Sequence, residues 1–330
     1  MNNRYKYHRA TLRESVSFIG VGLHTGITTR LTLKPSIDAR GIYFVRTDLP
    51  AGKNQIDARW FNVSDTRLST NLSNQFKASV NTVEHLMSAL VACGIDNVRI
   101  EIDGPEVPIM DGSAEAYTRA IQSTGKSYLK APREGSWIDK PIVVTEGDKY
   151  AMLIPHSVPR VTMCIDFPDT VIGSQCYSMT LQDNNYFEEI SYARTFGFAD
   201  QIETLKQQGL AQGGSLINAV LVDGEDVVNP EGLRVKNEFV RHKVLDAIGD
   251  LALADAPIIG HYYAYKAGHA LNQKLLQKMY SDAFSFSQMP LQEGELKYAE
   301  KYIDNSEIDS DEFIEQTLSS IYKKKFSVVG

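Results

Sequence analysis

EFVRHKVLDAIGDL, residues 238–251, decides how the rest of this chain must be arranged. Val240, Val244, Ala247, Ile248 and Leu251 recur at three- and four-residue spacing, the core face of a helix predicted from about Glu238 to Ala254. His242, Asp246 and Asp250 climb the other side, four residues apart. By spacing alone, that stripe is the solvated side of an amphipathic helix. Two details weaken this reading. Phe239 and Leu253 share the side of the polar residues, and Gly249 leaves a gap there, so something else, such as another domain, fits against this face.

The bulk properties agree with more than one domain. The chain has 330 residues, 43% hydrophobic and 23% charged, which is ordinary globular composition on a chain longer than one core usually grows. A net charge of −7 argues against a broad basic surface for nucleic acid, because neutralising phosphates needs clustered Lys and Arg. The opening MNNRYKYHRA has no apolar core for a signal peptide, and no run approaches the roughly 18 apolar residues of a spanning helix, so a cytoplasmic protein is expected. Cys93, Cys164 and Cys176 form no C-x-x-C pair and read as small core residues in a reducing compartment. A metal site must then come from carboxylates and the seven histidines, at 8, 24, 85, 156, 242, 261 and 269.

From Ile27 to about Asp103, ITTRLTLKP, RGIYFVRTD and NVRIEID alternate as half-buried strands do. Between the second and third, NTVEHLMSALVACG predicts a helix over about 82–93. Asn81 with Glu84 forms a capping-box variant, and Gly94 is the stop. A second helix is expected in SAEAYTRAIQST. KSYLKAPREGSWIDKP lacks periodicity and reads as a linker, giving a first domain over 1–127, a linker over 128–138 and a second domain over 139–288. Strands restart in IVVTEG, YAMLIP, RVTMCIDF and CYSMTL, followed by helical DNNYFEEISYAR, the long helix, IIGHYYAYKAG and a helix over about 270–282. This order resembles the first half, although no residue-level repeat is found. Residues 289–330, acidic and then basic at KKK 323–325, read as a charged tail or solvated helix.

Glu84 and His85 fall in the first turn of their helix, where free N–H groups favour negative charge. An isolated Glu-His pair would read as a cap and a surface histidine. It differs from H-E-x-x-H, so a second source of ligands is needed, and the long helix supplies one. His85, His242 and Asp246 make two His and one Asp, a set typical of catalytic zinc with a position left for water. Glu84 could take the proton of that water as it attacks an amide or ester. His269 could protonate the leaving amine, with Asp250 orienting it, although a helix-start histidine is a fair alternative.

GVGLHTG (20–26), TVEHLMSAL (82–90), PIMDGSA (108–114), ARTFGF (193–198), EFVRHKVLDAIGDL (238–251) and YKAGHALN (265–272) together resemble the UDP-3-O-acyl-N-acetylglucosamine deacetylase family. The six blocks run in order over about residues 8–285. The resemblance implies zinc-dependent removal of acetate from UDP-3-O-((R)-3-hydroxyacyl)-N-acetylglucosamine, the committed step of lipid A synthesis in a Gram-negative cell, with Fe²⁺ an alternative metal. It implies an α+β fold of two similar domains, each a sheet layered with helices, the helical layers packed face to face around the site. By motif, His85, His242 and Asp246 are similar to the zinc ligands, Glu84 to the base and His269 to the acid with Asp250 beside it. Thr195 matches an oxyanion-stabilising residue and Lys243 a substrate contact. A βαβ insert over about 195–223 is expected to form an acyl passage lined by Ile202, Leu210 and the Gly213-Gly214 turn. Phe196 and Phe167 are similar to sugar and uracil contacts, although an aromatic in a strand is usually core. His24 is near the site in the family, without an implied catalytic role. Ser69 stands in TRLST where relatives often have cysteine, which removes a sulfur near the metal.

The expected partner is an acylated UDP-sugar, with no nucleic acid, no transmembrane segment, transient contact with a membrane surface and a monomeric state. Two rivals remain open at this point. A hydrolase of the same fold acting on another acylated amine would release no acetate from the named nucleotide sugar. A silent nucleotide-sugar binding protein would lack stoichiometric metal.

Overall fold

The computed structural model describes residues 6–38, 40–182 and 184–304. Two five-stranded sheets share one strand order. In the first, Val16–Val21, Thr28–Pro35, Val98–Ile102, Ile42–Arg46 and Gln55–Asp57 lie side by side, the last strand in sequence inserted in the middle. Val98–Ile102 runs antiparallel to Thr28–Pro35 and parallel to Ile42–Arg46. In the second, the order is Ile142–Glu146, Lys149–Ile154, His261–Tyr265, Arg160–Phe167 and Gly173–Thr180. His261–Tyr265 is again antiparallel to the strand before it and parallel to the strand after it. The halves are therefore topological copies, and the resemblance lies in strand order rather than residue identity. The architecture is α+β, as expected.

Seven helices are found among the described residues: α1 Glu84–Ala92, α2 Glu115–Thr124, α3 Asn185–Glu189, α4 Ala199–Gln207, α5 Glu238–Leu251, α6 His269–Ser281 and α7 Leu291–Asp304. In each half one long helix precedes the inserted strand and another follows it, α1 and α2 in the first, α5 and α6 in the second. α1 packs on α5, joining the halves through their helices. Leu86, Met87, Ala89 and Leu90 on α1, and Val240, Val244, Leu245 and Ala247 on α5, are fully buried in one continuous core. Gly94, at φ +65°, closes α1 with its N–H on the Val91 carbonyl, and the Ile95 N–H donates to the Leu90 carbonyl.

Several segments differ from their sequence reading. The expected linker is extended structure: Lys126–Pro132 pairs with His8–Leu12, and Glu134–Ile138 pairs with Ile258–Ile259 and Phe286–Pro290. Its charges hid the pattern because Lys126–Pro132 keeps most of its side chains at least partly in solvent. The region expected to begin the charged tail is also built into the fold. Trp137 is buried beneath α7, stacked on Tyr298 at 4.7 Å between ring centroids, with Leu291 and Ile259 beside it. Residues 305–330, including the KKK cluster, lie outside the described residues. The expected helix in DNNYFEEISYAR shrinks to the single turn and a half of α3.

The cysteines need a correction. Cys164 and Cys176 stand opposite each other on neighbouring antiparallel strands, Cα–Cα 4.1 Å, and are disulfide-bonded, while Cys93 is a buried free thiol. Register, invisible in the spacing, brings the pair together, so cysteine usage carries no argument about compartment. Among the described residues, no helix is long and apolar enough to cross a membrane.

Candidate active site

The polar stripe of α5 does not face solvent. His242, Asp246 and Asp250 are 2–4% exposed, because α1 lies across them and brings Glu84 and His85, equally buried, from the other half. The predicted capping box is not formed. Val83 precedes α1 with no side-chain cap, and Glu84 Oε2 instead accepts the Thr70 N–H at 3.0 Å.

His85 Nε2 and His242 Nε2 lie 3.5 and 3.3 Å from Asp246 Oδ1, and the three candidate ligand atoms fall within 4.8 Å of one another. His242 Nδ1–H donates to the Ala193 carbonyl at 3.0 Å, leaving the Nε2 lone pair toward the cluster. Asp246 Oδ2 accepts from Lys243 Nζ at 2.7 Å, whereas buried Oδ1 has no hydrogen-bond partner. An ionised oxygen so placed is costly unless a cation meets it. Burial pushes His242 down to about 3, so it is neutral. Burial alone would raise Asp246, but the Lys243 ammonium at 2.7 Å helps to hold the carboxyl well below the usual range. Two imidazole nitrogens and one carboxylate fit a divalent ion of the zinc type.

A second polar cluster adjoins the first. His269, opening α6, places Nδ1 2.8 Å from Asp250 Oδ2 and Nε2 3.9 Å from Glu84 Oε1. Burial would lower His269, yet the Asp250 and Glu84 carboxylates raise it to about 9, so the ring is an imidazolium at neutral pH. Burial pushes Glu84 up to about 6, opposed by His269 and His85. Asp250 Oδ2 also accepts from Asn272 Nδ2 at 2.8 Å, and Oδ1 accepts from Thr70 Oγ1 at 2.5 Å. Such a cluster pairs a carboxylate near its neutral point with a charged imidazole, the arrangement of a general base and a general acid.

Both clusters open into a cavity of about 450 Å³ between the halves. Thr195 and Lys243 border it, as do Phe167 and Phe196, whose rings meet edge to face at 5.9 Å. Ile202, Leu210 and Gly214 do not border it. They lie on the unit formed by strand Phe196–Phe198, α4 and the parallel strand Val220–Asp223, where Ile202 and Leu210 are half-buried and Gly214 is exposed against Leu23. The loop of this unit meets the first half, with Gln212 and Gly213 N–H groups on the carbonyls of His24 and Leu23. His24 is buried beside the cavity, its N–H held by Glu106 at 2.9 Å. The Ser69 hydroxyl is taken by Asn71 Oδ1 at 3.1 Å.

Sequence reasoning missed the supports. Thr70 stands beside Ser69 with no local pattern to mark it, and Asn272 lies in the last motif without a charge. Arg194 and Glu238 form a buried ion pair at 2.8 Å that fixes the start of α5 beneath the Ala193 carbonyl. The Arg in ARTFGF was its signal.

A profile of the UDP-3-O-acyl N-acetylglycosamine deacetylase family matches residues 9–281. A UDP-3-O-acyl-N-acetylglucosamine deacetylase of Myxococcus xanthus is 50% identical over 291 residues, covering 88% of this chain and 92% of that protein. Proteins of the same name from Bdellovibrio bacteriovorus and Geobacter sp. are 43% and 46% identical, covering 85% and 82% of this chain and 92% and 88% of their own lengths.

Proposed function

Since the chain belongs to the UDP-3-O-acyl N-acetylglycosamine deacetylase family, we propose the following assignment of its residues to that reaction. The enzyme is a metal-dependent amide hydrolase that removes acetate from UDP-3-O-((R)-3-hydroxyacyl)-N-acetylglucosamine in lipid A biosynthesis. His85, His242 and Asp246 hold its metal, zinc in this reading, with Fe²⁺ the alternative occupant. The observation that carries the metal assignment is the convergence of two imidazole nitrogens on a buried carboxylate oxygen that lacks any other partner. When bound, such an ion polarises the amide carbonyl and makes water a nucleophile near neutral pH.

The chain's own groups do the rest. Glu84 takes a proton from the attacking water through Oε1, since Oε2 is occupied by Thr70. His269 gives the proton on Nε2 to the departing amine, while Asp250, on Nδ1, keeps the ring charged and oriented. Thr195 offers a hydroxyl to the developing oxyanion, and Lys243 neutralises charge on substrate and on Asp246. Phe196 and Phe167 face the sugar and uracil from the cavity wall. Ile202, Leu210 and Gly214 belong to the acyl path outside it. Supporting that path, the same unit leaves Ile217 83% and Leu216 37% exposed, apolar surface that an acyl chain would cover. The reaction belongs to the cytoplasm, with the acyl chain drawn from the membrane surface by a monomer.

The test is acetate release from the acylated nucleotide sugar at several acyl lengths, with metal analysis of the same sample. One bound ion per chain and acetate release support the reading. Stoichiometric metal without acetate release from any of these substrates would point to another acylated amine.

A further inference from the structure

Thr70 sits just ahead of the short strand Asn71–Ser73, 2% exposed, and touches both halves of the proton-transfer machinery. Its N–H donates to Glu84 Oε2 at 3.0 Å, and its Oγ1–H donates to Asp250 Oδ1 at 2.5 Å. Its carbonyl accepts the Val83 N–H at 3.1 Å, next to Glu84. Glu84 is 14 residues away in sequence and Asp250 180. One residue therefore ties α1 of the first half to α5 of the second by two polar contacts.

Each contact takes the oxygen that proton transfer leaves over. Glu84 retains Oε1, 3.9 Å from His269 Nε2. Asp250 retains Oδ2, 2.8 Å from His269 Nδ1. The platform beneath is rigid, because Asn71 Oδ1 accepts both the Ser69 hydroxyl and the Thr82 N–H at 3.1 Å. We propose that Thr70 is a positioning residue for deacetylation, fixing the base and the acid's carboxylate partner relative to each other across the α1–α5 contact. The Thr70 hydroxyl is bonded to Asp250 and not to a candidate metal ligand, so its part is separable from metal binding.

The proposal rests on the roles given to Glu84, His269 and Asp250, and the experiment keeps the two apart. Acetate release and bound metal are measured for the wild-type chain, T70V, T70S, D250A and the T70V/D250A double variant, with thermal midpoints for all. Valine keeps the shape and the backbone N–H but leaves buried Asp250 Oδ1 without its donor. We expect kcat to fall about 10- to 100-fold in T70V with KM and metal content near wild type, the usual cost of removing a supporting hydrogen bond. Serine, which keeps the hydroxyl, should restore most of kcat, and the T70V and D250A losses should not add. A folded, metal-loaded T70V within about 2-fold of wild-type kcat would overturn the proposal, as would T70S as slow as T70V or additive losses. T70A takes the place of T70V if the valine variant does not fold. An inactive, metal-loaded wild-type chain would instead overturn the functional reading itself.

Discussion

A Cβ on Gly249 would stand 2.0 Å from the backbone carbonyl oxygen of Glu84. Helices α1 and α5 therefore meet backbone to backbone at the residue that carries the base, and the ligands from the two halves close on one point because nothing but hydrogen fits between them.

Gly249→Ala should thus separate the helices. Alanine gains roughly 1 kcal/mol of intrinsic helix propensity over glycine, but overpacking of a tight core contact costs about 1–3 kcal/mol. The net expectation is a lower thermal midpoint together with weaker metal binding, since His85 moves away from His242 and Asp246. Wild-type metal affinity in a metal titration of Gly249→Ala would refute this account of the contact.

Glu84→Gln should keep its metal and lose catalysis. The amide preserves size and can still meet Thr70, yet it cannot accept a proton, so kcat should drop by about 10²-fold or more. Steady-state rates beside metal content provide the check, and a near-normal rate would remove Glu84 from its role.

Asp246→Ala acts on the metal instead. It removes the carboxylate oxygen on which both imidazoles converge and frees Lys243 from its 2.7 Å partner. Metal content of the purified variant should fall. In the wild-type chain, a chelator should abolish acetate release and lower the thermal midpoint, both recovering with added zinc, because a ligand bound only by the folded state stabilises it. Full metal occupancy in Asp246→Ala would refute the assignment.

The pH profile follows from two shifted groups. The base must be ionised, and Glu84 is pushed up to about 6 by burial, so activity should fall as pH drops through that region. The acid must be protonated, and His269 is raised to about 9 by Asp250 and Glu84, so activity should fall as pH rises through that value. A bound dication moves both limbs to lower pH. Asp250→Asn removes the negative charge that holds the proton on His269, so the basic limb should shift down. A basic limb unmoved in the rate profile of Asp250→Asn would assign that limb to another group.

The elements were largely legible from periodicity. Alternation marked three strands of the first sheet, and three- and four-residue spacing marked α5. What misled was local polarity. Lys126–Pro132 looks like a linker because most of its side chains are at least partly wet, whereas Glu134–Ile138 is buried apart from Glu134 and is simply too short to show a period, yet each finds a partner strand far away in sequence. Likewise, Asn81 and Glu84 match a cap by spacing, while the actual partner of Glu84 is Thr70.

For the site, the sequence by itself determined which residues can do chemistry: the histidines, the carboxylates and the six ordered blocks that mark the family. It could not determine whether the stripe of α5 is wet or buried, because a helix read alone has two faces and only a partner decides which is dry. The tertiary structure made that decision by laying α1 across α5 at Gly249. It also placed uncharged Thr70 and Asn272 against Asp250, contacts that no local pattern encodes because they join residues on separate elements.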